Sequence, residues 1–176
     1  PSLLEDTSNP LPGSLRQLIT RLTEHLKDLD QLVDEFEIQI KAWHCSSELS
    51  MKLEKIPGIG PLGASALVAS IADATSFDNG RQLSAWLGLV PRQHSSGGKD
   101  KLGSISKQGD RYLRSLFTAG ALSVIRYAKI HGVKHRPWLT ALLARRPTKV
   151  AAVALANESA RMAWAMMARG ERYKEP

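Results

Sequence analysis

The stretch SLRQLITRLTEHLKDLDQLVDEFEIQIKAWHCSSELS, residues 14–50, contains neither glycine nor proline. Within it Leu15, Leu22, Leu29, Phe36 and Trp43 recur every seven residues, and Ile19, Leu26, Val33 and Ile40 follow the first four of them by four. Those spacings bring side chains onto one face of an α-helix, so the stretch predicts a single long helix with one apolar stripe. At 1.5 Å per residue it would run for roughly 55 Å. Five heptads exceed what a lone globular helix needs, and the preferred partner is the same stripe on another copy, in a homo-oligomeric coiled coil. The alternative is a stripe that folds back on the chain's own core. Cys45 falls inside the pattern and reads as a small packing residue.

Outward from this helix the character of the chain changes on both sides. Residues 1–13 hold three prolines and a glycine and read as a linker or the tail of an upstream domain. Beyond Met51 shorter helices are expected, at about 62–73, 80–87, 107–128, 136–144 and 148–169. Only the long Gly-, Ser- and Lys-rich stretch 88–104 lacks periodicity, and it has room for a short hairpin. The fold class is therefore all-α: a linker (1–13), a coiled-coil helix (14–51), and a compact helical domain (52–176).

The chain has 176 residues, 43% hydrophobic and 23% charged, which is the make-up of a globular protein with a core. No apolar run reaches the roughly 20 residues that a membrane helix requires. The first residues lack the basic and apolar parts of a secretory signal, and one cysteine cannot form an internal disulfide, so a reducing, cytoplasmic setting is expected. Charge is unevenly divided. Residues 1–54 carry 5 basic and 10 acidic side chains and residues 55–176 carry 19 and 7, so a net of −5 is followed by a net of +12. A basic half of that size attracts polyanions by counterion release and makes nucleic acid a better partner than a small molecule. A solvated basic surface is the plainer reading.

Three motifs refine this. Lys55-Ile56-Pro57-Gly58-Ile59-Gly60-Pro61, followed by small residues from Leu62 to Leu67, resembles a helix-hairpin-helix. In that motif amides around Gly58 and Gly60 meet a DNA phosphate beside a helix N-terminus, without reading bases; a plain helical corner is the alternative. Asp73 and Asp78 in the following turn suit capping better than metal binding.

The second motif, Gly88 to Lys99 and on through Lys101, sets Ser95 and Ser96 beside Gly97 and Gly98, with Arg92, Lys99 and Lys101 able to stabilise charge on a phosphate. A serine hydroxyl needs a base or a polarised phosphate to become a nucleophile, and His94 is a candidate helper. A flexible linker has the same composition. In the third motif, Ser106 or Asp110 caps a helix on which Lys107, Arg111 and Arg114 would form one cationic stripe. That stripe suits a phosphate backbone, or is a solvated face. On the last helix Asn157 and Arg161 lie one turn apart, either turned toward the loop or, as the better reading, held in a satisfied hydrogen bond.

Taken together, the Pro57-Gly58-Ile59-Gly60 turn, Ala85 to Pro91, Ser96-Gly97-Gly98-Lys99 and Ser106 to Arg114 resemble, in order and spacing, the C-terminal domain of insertion sequence 110 family transposases. The resemblance spans residues 52 to about 170, and residues 14–51 look like the coiled-coil segment that joins the two halves of such proteins. The family is related to pilin-gene invertases and is bacterial. The resemblance implies a recombinase whose C-terminal domain supplies a serine nucleophile for DNA strand cleavage and transfer. The family motif puts that serine on Ser96, with Ser95 in reserve. It also implies DNA and a structured guide RNA as partners, and magnesium held by four acidic residues of a separate RuvC-like domain. That domain falls outside these 176 residues, and Asp73, Asp78, Asp100 and Asp110 lack the spacing of a magnesium site. The chain is accordingly expected to bind no cofactor itself and to be inactive alone. The competing class is a noncatalytic DNA-binding and oligomerisation module.

Overall fold

In the computed structural model, residues 11–93, 102–131 and 137–174 are described. The elements in order are α1 (Gly13–Ser46), α2 (Glu48–Leu53), α3 (Pro61–Ser70), a 3₁₀ turn (Ala74–Ser76) and α4 (Gly80–Trp86). Strands β1 (Pro91–Gln93) and β2 (Leu102–Ile105) follow, then α5 (Arg111–His131), α6 (Pro137–Arg145) and α7 (Thr148–Arg169). Among the described residues the fold is all-α apart from this two-stranded hairpin, as the periodicity predicts. The chain divides into two units, residues 1–42 and 43–176.

α1 has 34 residues, about 51 Å of helix. Along it Leu15, Leu22, Leu26, Leu29, Val33, Phe36 and Trp43 are exposed, while Ile19 and Ile40 are half-buried. The expected helix through residue 51 is corrected here: it stops at Ser46. Ser47 is extended (φ −102°, ψ 107°), and its side chain accepts a hydrogen bond from the Ser50 amide to start α2. Cys45, expected to pack, is exposed on the last turn of α1.

Three side chains account for the break. His44 is buried at the end of α1, its Nδ1 2.7 Å from Ser50 Oγ and its Nε2 3.0 Å from a Glu54 carboxylate oxygen. A continuous helix could not bring residues 44, 50 and 54 together in this way, because hydrogen-bonded neighbours on one helix face lie three or four apart. α2 is short but well terminated, with Glu48 and Lys52 paired at 2.7 Å and the Glu48 carboxyl held below its ordinary pKa by that hydrogen bond and charge.

The second unit is organised around α7. Its buried positions Ala151, Ala152, Ala156, Ser159, Ala160 and Ala163 are small, so neighbouring helices approach closely, and α5, α4 and α6 all pack against it. Larger side chains fill the space left: Leu53, Ile56, Leu67, Leu83, Leu113, Phe117, Ile125, Leu139 and Leu155 form one buried cluster. Close approach recurs where the 54–60 turn crosses α5. Gly58 (φ +89°) lies so near Gly120 that a side chain on either would collide with the other's backbone. Both glycines are therefore explained by packing, independently of any ligand.

Candidate nucleic-acid interface and hairpin loop

The hairpin grows from the end of α4. Val90 accepts from the Ser106 amide at 2.9 Å and Gly88 from the Lys107 amide at 3.1 Å, which fastens the strand bases together. The strands are antiparallel, with Pro91 opposite Ile105 and Gln93 opposite Leu102 and an irregularity between the two pairs. α7 anchors this base. Asn157 donates its side-chain amide to the Leu89 carbonyl at 3.4 Å, and its own carbonyl accepts from Ser84 Oγ at 3.3 Å. The polar residue on α7 thus makes the satisfied hydrogen bond anticipated for it, whereas Arg161 is exposed and lines a different part of the surface.

Between the paired ends lie His94, Ser95, Ser96, Lys99 and Lys101, and with Asp100 they fall outside the described residues. Of the cations expected nearby, Arg92 is exposed and donates to the Ser106 carbonyl at 3.1 Å, and Lys107 and Arg111 are exposed. The predicted helical stripe needs correction. α5 begins at Arg111, and Lys107 precedes it in a left-handed conformation (φ 56°), so Lys107, Arg111 and Arg114 do not share a helix face. Asp110 is the residue that caps, its Oδ1 accepting from the Leu113 amide at 2.8 Å. Arg114 turns inward: half-buried, it donates from Nη1 to the Leu87 carbonyl at 3.0 Å and to the Asp110 carbonyl at 3.5 Å. Its guanidinium ties the end of α4 to the start of α5 and so fixes the hairpin base.

The 54–60 turn offers a separate surface. α3 starts with Gly60 as an exposed N-cap, Pro61 at the first position and no side-chain cap. The first amides of a helix have no intrahelical acceptor, so this end retains donors of the kind a phosphate takes. Asp73 caps the turn after α3, as expected, whereas the cap of α4 is Asn79 and Asp78 contributes its backbone amide. Asp73 accepts from the Thr75 hydroxyl and amide at 2.7 and 2.8 Å, which lowers its carboxyl pKa, and the Asp78 amide donates to the Gln82 side chain. Among the described residues no three His, Cys, Asp or Glu side chains are grouped to hold a metal ion. A magnesium site of the implied kind therefore finds no fitting donor set there.

The buried Ser50-His44-Glu54 chain has the residue types of a hydrolytic relay, but Ser50 is fully buried and no substrate can reach its hydroxyl. Its role is structural. Sequence reasoning missed it because separations of six and ten belong to no helical repeat.

Residues 50–136 match the model of the transposase IS116/IS110/IS902 family. The chain belongs to that family. It is 46% identical over 165 residues to a probable family 20 transposase of Pseudomonas aeruginosa, a match that covers 94% of this chain and 49% of that protein. It is 38% identical over 174 residues to the transposase for insertion sequence element IS1111A of Coxiella burnetii, covering 99% of this chain and 48% of the relative. A pilin gene-inverting protein of Moraxella bovis matches at 36% over 85 residues, 46% of this chain and 26% of its own length. The chain spans about half the length of these two transposases. Among the described residues no helix is long and apolar enough to cross a membrane.

Proposed function

We propose that this chain is the part of a DNA transposase that presents a serine nucleophile on the β1–β2 hairpin, with Ser96 as that residue and Ser95 in reserve. The observation that carries the reading is the family match over residues 50–136, which includes both hairpin strands and the segment between them. The hairpin base adds support, because Arg114, Asn157 and the paired strands hold both ends of that segment to the helical body. Ser96 Oγ attacks a DNA phosphodiester. An Oγ–P bond forms, the bond from phosphorus to the leaving deoxyribose oxygen breaks, and the serine proton passes to a base, for which His94 is the nearest candidate in sequence. Arg92, Lys99 and Lys101 stabilise the charge that develops on the phosphate.

DNA backbone binding is assigned to the uncapped start of α3 around Gly58 and Gly60 and to exposed Lys107 and Arg111. Arg114 supports the site from within. A structured guide RNA is the second nucleic-acid partner, and magnesium, which the described residues of this chain have no set of ligands to hold, would be supplied by acidic residues elsewhere in the recombinase. α1 joins two copies. Its alternating positions carry Ile19, Leu26, Val33 and Ile40, against Leu15, Leu22 and Leu29. With Phe36 and Trp43 continuing the leucine series, the two sets form the adjacent seam positions of a heptad repeat, which pack against the same seam of another copy.

In the full-length transposase, Ser96→Ala is expected to abolish strand transfer and the covalent protein–DNA product while leaving DNA binding near the wild-type level. Normal recombination by Ser96→Ala would refute Ser96 and pass the role to Ser95, and normal recombination by Ser95→Ala/Ser96→Ala would leave a noncatalytic DNA-binding and assembly module.

A further inference from the structure

A cleft of about 620 Å³ opens between the start of α4, the second half of α7 and the C-terminal segment that ends the described chain, and Arg81, Arg161 and Lys174 line it. Its geometry is set by the backbone. Gly80 faces α7 so closely that an added Cβ would sit 2.9 Å from Arg161 Cα and 3.0 Å from the Arg161 carbonyl oxygen. That contact puts Arg81, the next residue, and Arg161 on the same cleft although they are distant in sequence. The wall beside them is rigid, because buried Trp164 donates its indole N–H to the Ala74 and Phe77 carbonyls at 3.1 Å each.

Cations outnumber carboxylates in this cleft. Among the described residues none of Arg81, Arg161 and Lys174 has a side-chain hydrogen bond or ion pair, whereas nearby Arg169 is paired with Glu171 at 3.6 Å and stacks over the Trp164 ring at 4.9 Å. One carboxylate, Glu158, lines the cleft with them and is already engaged in an interaction. Three cations against one carboxylate in a concave surface focus a positive potential, and two guanidiniums offer the paired N–H geometry that phosphate oxygens accept. The α4 N-terminal amides are not the attraction, since the Asn79 side chain already accepts from the Arg81 and Gln82 amides.

We propose that this cleft binds the phosphodiester backbone of a nucleic-acid strand, at a place separate from the hairpin. α4 lies between the two. Gly80 is at its start and the Leu87–Gly88 corner that carries the hairpin is at its end, about 10 Å along the helix axis. A strand held at Arg81, Arg161 and Lys174 is therefore gripped away from the reacting phosphate. The inference rests on the nucleic-acid-binding part of the preceding proposal, but not on Ser96.

The test uses the 176-residue chain with a labelled DNA duplex and a labelled hairpin RNA, titrated at several salt concentrations. In Arg81→Ala/Arg161→Ala/Lys174→Ala, affinity is expected to fall at least about tenfold at low salt. The slope of log K against log salt should fall by roughly 2 to 3, at about 0.9 per duplex phosphate contact or about 0.7 per single-strand contact. Loss confined to one probe, or shared by both, identifies the backbone that occupies the cleft. All three side chains are exposed, so the variant should keep the wild-type melting temperature, and Arg81→Lys/Arg161→Lys should retain most of the salt slope. If the wild type binds and the triple variant binds both probes with the same affinity and slope, the cleft assignment is wrong while the serine reading stands. If the wild type binds neither probe, the cleft fails together with the DNA-binding assignment. The Ser96→Ala strand-transfer assay is unaffected by either result.

Discussion

Replacing Leu22 and Leu29 together by alanine tests whether α1 pairs with another copy of itself. Leu22 is 68% exposed and Leu29 44% exposed in the isolated chain. Complete burial of a leucine contributes about 1.5–3 kcal/mol, so burying the remaining surface contributes about 1–2 kcal/mol at Leu22 and about 0.7–1.3 kcal/mol at Leu29. Alanine keeps only the first carbon of each side chain, and a pair of helices loses the contribution twice. The dimer should weaken by about 3–6 kcal/mol, or roughly two to four decades in dissociation constant. Alanine has the highest helix propensity of any residue, so the loss cannot be assigned to a weaker helix. Sedimentation velocity across a concentration series reads the result directly. A wild-type chain that sediments as a monomer through the micromolar range, or a double variant with unchanged association, would refute the reasoning.

Three further outcomes are expected. His44→Ala should destabilise the second unit by about 1–3 kcal/mol in urea unfolding, because it leaves the buried Ser50 hydroxyl without its partner. Adding Ser50→Ala should recover part of that loss, and a single variant as stable as the wild type would contradict the account. Ser65→Ala should be neutral or stabilising by up to about 1–2 kcal/mol, since Ser65 Oγ is buried without a hydrogen-bond partner among the described residues; clear destabilisation would show an overlooked partner. Asp73 has a folded-state pKa below that of the unfolded chain, so its contribution is present above about pH 4 and is lost as pH falls through the lower folded value. The stability difference between wild type and Asp73→Ala should accordingly be constant near neutrality and shrink in acid, and a gap that widened in acid would reverse the sign.

The parts legible in the sequence were those written in local pattern. α7 begins and ends at the residues its composition marks, Thr148 and Arg169, with Pro147 before it and a left-handed Gly170 after it. The hairpin appeared as the one stretch without periodicity, and Asp110 and Asp73 cap as their residue type and position predict. Tertiary contacts decided the rest. The heptads continue to Trp43, so nothing local announces that Ser47 leaves the helix; His44 closing on Ser50 and Glu54 makes the turn. Lys107 adopts a left-handed backbone without being glycine, and Arg114 is drawn inward by a carbonyl 27 residues away in sequence, which dissolves a stripe that spacing alone supports. Arg81 and Arg161 become neighbours only because Gly80 lets two helices touch.

The pairing of Gln93 with Leu102 also bears on how the length of chain between them can change. A segment that leaves and re-enters a body through adjacent residues can be lengthened at a closure cost of only about 0.6 kcal/mol for each doubling. The helices beneath need not adjust, since Arg114 and Asn157 hold the chain at Leu87 and Leu89. Insertion or deletion between residues 93 and 102 is therefore expected to change the length of that segment at little cost to the stability of the core.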